Sequence, residues 1–302
     1  MTENVIELFS SIQGEGAYVG YRQAFLRFED CNLRCHYCDT EHESGTHPFC
    51  RVQIDVERPN FQEIANPLSA ERAADYLAVY IRSVPHQAVS LTGGEPLLHP
   101  EYIQELASFL TTPLLLETNG TLPEALGSVL SAVDIISMDI KLPSLTGREA
   151  WKEHRDFLRL AREKDVYVKI VVGENTPFKE LARAFALVSS EDSRIPVILQ
   201  PVTPSGGIPA PTVKVRMGGA RRSTMPHGVC LRRGMPVPSL PRWPRQGRGP
   251  NGIQKMAGGG AARRLRRGRL PPVVGRDRVR PGRHALPPHP AGHCRAHGRG
   301  PA

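Results

Sequence analysis

Residues 88–120 read AVSLTGGEPLLHPEYIQELASFLTTPLLLETNG, and the order of patterns within this stretch decides the fold. A short apolar run, Ala88–Leu91, is stopped by Gly93 and Gly94. A helical pattern follows over 99–112, and a second apolar run at 113–118 ends on Glu117-Thr118-Asn119-Gly120. Two strands split by a helix of that length pair in parallel, through a right-handed crossover.

The same unit recurs on both sides. Upstream, an opening strand is predicted at 24–28. The segment 69–84 places Ala73, Ala74, Leu77, Ala78 and Ile81 on one face, with Ser69 and Glu71 suited to a helix start. Downstream, helices at 122–133, 148–164 and 176–190 alternate with strands at 134–140, 166–172 and 196–202. Six strands favour an incomplete (βα)6 barrel over a flat doubly wound sheet. In such folds ligands bind beyond the carboxyl ends of the strands. Polar residues gather there: Glu29-Asp30-Cys31, Thr92, Glu117, Ser137 with Asp139 and Lys141, Lys169, and Gln200.

The loop after the first strand holds Cys31-x3-Cys35-x2-Cys38, three thiolates within eight residues. A structural zinc site wants four closed ligands and could recruit His36, His42, His47 or Cys50. An iron–sulfur cubane held by three cysteines instead leaves one iron open. The turn after the next strand, Gly93-Gly94-Glu95-Pro96, lets backbone approach closely, places a carboxylate beside it and fixes the bend.

Composition divides the chain. Of the 302 residues, 213–302 carry 21 Lys and Arg against one acid, Asp277. The totals of 39 and 30 therefore leave 18 bases and 29 acids in 1–212, so the net charge of +9 belongs to the tail. That tail has 16 Gly and 13 Pro, with Trp243 as its one aromatic and Ile253 as its one isoleucine, so it cannot bury enough surface to offset the cost of ordering. A catalytic domain over 1–212 and a disordered, low-complexity tail over 213–302 are the expectation. The start, MTENVIELFSSIQGEG, lacks a basic and then apolar leader, and no apolar run reaches membrane-spanning length. These features point to a reducing cytoplasm, where clustered thiols read as metal or redox ligands.

Taken together, the cysteine spacing and the Gly-Gly-Glu-Pro turn resemble the radical S-adenosylmethionine superfamily. The resemblance implies a four-iron, four-sulfur cluster on Cys31, Cys35 and Cys38, whose open iron chelates S-adenosylmethionine for reductive cleavage and hydrogen abstraction. It also implies that Gly94 and Glu95 meet the methionine end, that Tyr37 lies against the adenine with Asp39 beside it, and that an electron donor such as flavodoxin or ferredoxin is needed.

Flanking segments carry a narrower resemblance, to the 7-carboxy-7-deazaguanine synthase family. They are Ser11-Ile12-Gln13-Gly14-Glu15-Gly16, Phe25-Leu26-Arg27-Phe28, Cys38-Asp39-Thr40, Leu91–Pro96, Glu117–Thr121 and Gln200-Pro201-Val202. The similarity spans roughly residues 5–205. That family contracts 6-carboxy-5,6,7,8-tetrahydropterin with loss of ammonia, toward queuosine, and uses magnesium as well. Its implied substrate contacts are Ile12, Gln13, Gly14, Thr92 and Arg27, the last forking onto the pterin carboxylate. Thr40 would offer its hydroxyl to magnesium. Ser137, Asp139, Lys141 and Gln200 fall where S-adenosylmethionine is held. A homodimer acting on a small molecule, with neither membrane nor nucleic acid as partner, is the implied assembly.

The match decays after about residues 211–214, where the family continues into another helix and strand. The Arg, Gly, Pro and Ala beyond are residues that GC-rich codons encode in any frame, so a frameshifted end is one reading. An Arg/Gly tail binding RNA is another, though stacking aromatics are nearly missing. Two further functions stay open at this point: a radical activase acting on a partner protein, and a non-catalytic zinc module with an RNA-binding tail.

Overall fold

The computed structural model describes residues 1–38, 45, 47–173 and 175–202, together with the backbone of 221–225 and 228–232. Asp39 and Thr40, expected at the cofactor and at magnesium, lie outside the described residues. The strands in chain order are β1 (Thr2–Glu3), β2 (Val5–Ile12), β3 (Arg22–Phe28), β4 (Phe49–Asp55), β5 (Asn60–Ala65), β6 (Leu68–Ser69), β7 (Val89–Gly93), β8 (Leu114–Thr118), β9 (Ile135–Asp139), β10 (Asp165–Val172), β11 (Val197–Pro201), β12 (Arg221–Met225) and β13 (Gly228–Arg232). The helices are α1 (Ala70–Ser83), α2 (Pro100–Ser108), α3 (Pro123–Val129), α4 (Pro143–Thr146), α5 (Trp151–Ala161) and α6 (Phe178–Asp192).

Six strands, in the order β3-β7-β8-β9-β10-β11, pair in parallel with their neighbours, as an incomplete (βα)6 barrel requires. All six expected strands are present within a few residues of their expected ends. Helix α2 stops at Ser108 although the pattern runs to 112, because Pro113 disfavours helical backbone before it. Helix α1 starts on Ser69, whose hydroxyl accepts from Arg72 N–H at 3.2 Å.

Three features go beyond the sequence expectation. Strand β2 adds antiparallel to β3, and the β4–β5 hairpin adds beyond it. Strand β1 pairs with β6 in a small separate sheet. At the other edge, β13 pairs antiparallel with β11 and β12 with β13, inside the stretch expected to be a disordered tail. There the backbone of β13 pairs along the outer edge of β11, with Leu231 in register with Val197 and Val229 with Leu199. The remaining tail lies outside the described residues.

Alternation along the strands separates two faces. Leu26 and Phe28 of β3, Leu91 of β7, Leu116 of β8, Ile136 and Met138 of β9, and Val168 and Ile170 of β10 belong to the main core beneath the helices. Phe157 and Leu158 of α5 complete it from above, each fully buried and worth roughly 1.5–3 kcal/mol. Residues one position away face the inside of the curved sheet. Ala88, Leu115, Ile135, Tyr167 and Ile198 form a smaller inner cluster against Ala17 and Tyr18. The 13–21 loop thus plugs the N-terminal end of the barrel. Gly16 makes this possible: its φ is +72°, and a Cβ there would sit 2.6 Å from the Tyr167 ring. Cys50 is fully buried in the main core on β4, with burial first and Glu7 second pushing its thiol up to about 12. It is a packing residue, remote from ligand chemistry.

Candidate active site

With the bottom of the barrel plugged, the inward positions nearer the carboxyl ends of the strands are left to line a cavity of about 320 Å³. Each of the six parallel strands reaches it: Arg27, Thr92, Glu117, Asp139, Lys169 and Gln200 come from successive strands in spatial order. Cys31, Cys35 and Cys38 line its mouth, together with Tyr37.

The cysteine loop is fastened to three strands. Gly94 N–H donates to Phe28 O at 3.1 Å and Glu95 N–H to Asp30 O at 2.6 Å. The two glycines are needed for this approach: a Cβ on Gly93 would lie 2.3 Å from Phe28 O, and one on Gly94 would lie 1.8 Å from Asp30 O. From the end of β8, Asn119 Nδ2 donates to Asn32 Oδ1 at 2.7 Å, and Asn32 Nδ2 returns a bond to Thr121 Oγ1 at 3.0 Å. From the end of β9, Lys141 Nζ donates to Tyr37 Oη at 3.0 Å and lies 5.3 Å from its ring centroid. His36 N–H also donates to Leu145 O at 3.0 Å. Residues 30–37 are therefore tied to the ends of β7, β8 and β9.

Burial pushes the Cys31 thiol up to about 11 and raises that of Cys35, so iron must displace protons as it binds. Among the described residues, no three His, Cys, Asp or Glu side chains converge as a mononuclear metal requires. A cubane has no such need, since each thiolate takes its own iron. Three thiols around one cavity fit a cluster with an open corner.

A chain of opposite charges crosses the cavity. Lys141 Nζ lies 2.8 Å from Asp139 Oδ2, Lys169 Nζ 3.8 Å from the same oxygen, and Lys169 Nζ 2.6 Å from Glu15 Oε2. Burial works against the charge on both lysines, but Asp139 foremost overcomes it, and both stay firmly protonated. Asp139 Oδ1 and Gln200 Oε1 are buried acceptors with no hydrogen-bond partner among the described residues. Such atoms on a cavity wall await hydroxyl or amino donors. Arg27 Nε is held by Glu7 Oε1 at 3.0 Å, one strand away, leaving its terminal amino groups for the cavity.

Eleven of the residues expected at the site therefore meet around one cavity: the three cysteines, Tyr37, Gly94, Ser137, Asp139, Lys141, Gln200, Arg27 and Thr92. Four do not. Glu95 is fully buried behind the wall, where it accepts from Leu97 N–H and Thr118 Oγ1 on one oxygen and Asn119 N–H on the other. It ties two strand ends together from a fully buried position that does not line the cavity. Ile12 is 51% exposed and faces a separate groove with Phe9, Arg22 and Phe61, because β2 ends at the opposite end of the barrel. Gln13 is buried as a strut, its Nε2 donating to Glu117 Oε1 at 2.9 Å and Gln23 Oε1 at 3.0 Å. Gly14 is exposed, with open space where a Cβ would project.

Glu15, Glu117 and Lys169 line the cavity too; the last two are among the polar residues that the sequence gathers at the strand ends, where no role was assigned to them. The signal for the last two was present: each is a charged residue at an inward position one or more places before an otherwise apolar strand ends. Glu15 carries no such signal, since its side chain is aimed by the plug loop.

Comparison with known proteins follows from this geometry. The Radical SAM superfamily profile matches residues 26–188. The 7-carboxy-7-deazaguanine synthase of Geobacter sulfurreducens is 44% identical over 205 residues, covering 66% of this chain and 82% of that protein. The enzyme of the same name from Methanocaldococcus jannaschii is 32% identical over 226 residues, covering 68% and 86%. Among solved structures, that of QueE from Escherichia coli aligns with a TM-score of 0.43 at 18% identity, covering 63% of this chain and 79% of that one.

Proposed function

The chain belongs to the radical SAM superfamily and, within it, to the 7-carboxy-7-deazaguanine synthases, and from that premise we propose how its own cavity serves the reaction. The enzyme is a carbon–nitrogen lyase that contracts 6-carboxy-5,6,7,8-tetrahydropterin to 7-carboxy-7-deazaguanine with loss of ammonia. It uses a four-iron, four-sulfur cluster and S-adenosylmethionine. When bound, these two supply the electron and the hydrogen-abstracting group.

Cys31, Cys35 and Cys38 would hold the cluster at the mouth of the cavity. Asp139 Oδ1 and Gln200 Oε1 accept from the hydroxyl or amino groups of S-adenosylmethionine, on the side where Tyr37 and Lys141 fix the cysteine loop. Gly94 offers backbone at the same edge, and Ser137 lies below. On the other side, Arg27 is presented by Glu7 so that its terminal amino groups fork onto the pterin carboxylate, a geometry that Lys cannot reproduce. Thr92, paired in register with Arg27, places its hydroxyl beside that carboxylate. The plug loop closes the cavity from below and keeps water from entering behind the substrate. The exposed Cys38 marks where a one-electron donor such as a flavodoxin or ferredoxin would approach.

The observation that carries this reading is the meeting of three thiols, two unpartnered acceptors and a presented arginine around one cavity. Anaerobic reconstitution with iron and sulfide, followed by assay with the carboxypterin and S-adenosylmethionine, tests it. A coloured protein that releases ammonia and the deazaguanine in equal amounts is expected. A protein that takes up the cluster but leaves the pterin unchanged would refute the substrate half of the reading.

A further inference from the structure

We propose that Lys169 is a positioning residue that couples the two halves of the cavity, its ammonium being held between Glu15 on the plug loop beneath the substrate and Asp139 on the cofactor-side strand. The inference rests on the assignment above of which half takes which ligand.

The geometry leaves this lysine few choices. Its side chain is 11% exposed, Nζ lying 2.6 Å from Glu15 Oε2 and 3.8 Å from Asp139 Oδ2. A buried ammonium cannot give up all its carboxylates without a large desolvation cost. Glu117 also faces it across the cavity but lies beyond ion-pair distance, its Oε1 accepting from Gln13 Nε2 at 2.9 Å and Ser90 Oγ at 2.8 Å. If Glu15 is drawn away, Asp139 is the carboxylate left within ion-pair distance among the described residues, and Lys169 closes on it.

Glu15 is the member able to move. Its side chain is 45% exposed and stands on a loop, whereas Asp139 is 10% exposed within a central strand. A pterin offers N–H donors, and one of these taken by Glu15 competes directly with the Lys169 pair. Once Lys169 has closed, Asp139 Oδ2 is clamped between two ammonium groups, with Lys141 already at 2.8 Å. Its Oδ1, buried and without a partner, is then held in one orientation toward the cofactor side. Substrate binding thus pre-orders a cofactor contact. Thermodynamic linkage requires the reverse effect to be equal.

Binding to the cluster-loaded, oxidised enzyme tests this, because no turnover occurs without an electron. The Kd of S-adenosylmethionine is measured by equilibrium dialysis with and without saturating carboxypterin, and the Kd of the carboxypterin with and without S-adenosylmethionine. In the wild type each ligand is expected to tighten the other by about fivefold or more, by the same factor both ways. Lys169→Met should bring that factor close to one, and Lys169→Arg should keep most of it. No coupling in the wild type overturns the proposal. So does an undiminished factor in Lys169→Met, which would mean that the ligands touch each other directly. Should Lys169→Met lose the cluster, Glu15→Gln supplies the same test, since it leaves the lysine paired with Asp139; coupling retained there overturns the proposal. Failure of the carboxypterin to bind the wild type at all would bring down the functional reading, and this inference with it.

Discussion

Glu95 Oε2 accepts a 2.7 Å hydrogen bond from the backbone N–H of Asn119, joining the turn after β7 to the end of β8 behind the cavity wall. The other oxygen accepts from Thr118 Oγ1 at 2.8 Å and from Leu97 N–H at 3.1 Å. Three donors therefore converge on one buried carboxylate, which acts as the knot between two strands that both hold the cysteine loop.

Glu95→Gln replaces one acceptor oxygen with a donor while the neighbouring donors stay in place. One buried N–H or O–H is left facing an NH2 group, at a cost of about 1–3 kcal/mol. Thermal melting of the cluster-free protein should fall accordingly, and the cluster should be released to a chelator faster than in the wild type. An unchanged melting temperature would show that the knot carries no stability.

Gly94→Ala drives a Cβ to 1.8 Å from Asp30 O, a backbone atom at the root of the cysteine loop. Neither partner can rotate away, so the loop must shift as a whole. We expect about 3 kcal/mol or more of lost stability and little iron retained after reconstitution. Gly14→Ala, which meets open space and has no positive φ, should leave both stability and iron content nearly unchanged. Iron and acid-labile sulfide per chain decide between them.

Cys35→Ala and Cys50→Ala should separate ligand from packing residue. The first removes one of three thiols at the cavity mouth and should abolish the cluster. The second deletes a fully buried sulfur from the core, at roughly 1–2 kcal/mol, and should leave the cluster spectrum intact. Loss of the cluster in Cys50→Ala would mean that the ligand set is wrong.

His154 on α5 is fully buried beside the ends of β8 and β9, its Nε2 lying 3.2 Å from Asn119 O and 3.4 Å from Lys141 N. Burial above all lowers its pKa to about 4. Between pH 4 and the ordinary 6.5 the unfolded chain therefore binds a proton that the folded one refuses, so stability falls as the solution is acidified through that window. From pH 7 to pH 5 this group alone accounts for roughly 2 kcal/mol. Melting curves at the two pH values should show a smaller drop for His154→Gln than for the wild type.

Much of this molecule was legible along the chain. The βαβ order, the six parallel strands and the position of the cavity at their carboxyl ends all follow from local period and crossover geometry. The three cysteines were equally plain, because eight residues of chain cannot separate them. Reading failed where contacts are long-range or where strands lack a covering helix. Strand β2 and the β4–β5 hairpin lie outside the alternating pattern. Glu95 and Gln13 sit in motifs beside the cavity, yet their side chains are engaged by partners 24 and 104 residues away, which no local pattern reveals.

Chain order and period alone dictated which segments become strands and helices and which loop bears the thiols, since both depend on interactions within a few residues. Which polar side chains face the cavity, which are consumed as struts, and that one lysine is shared between carboxylates 154 residues and 30 residues distant were settled by the folded chain. A hydrogen bond or ion pair is satisfied by whatever lies within about 3 Å in space, and separation along the polymer places no limit on that.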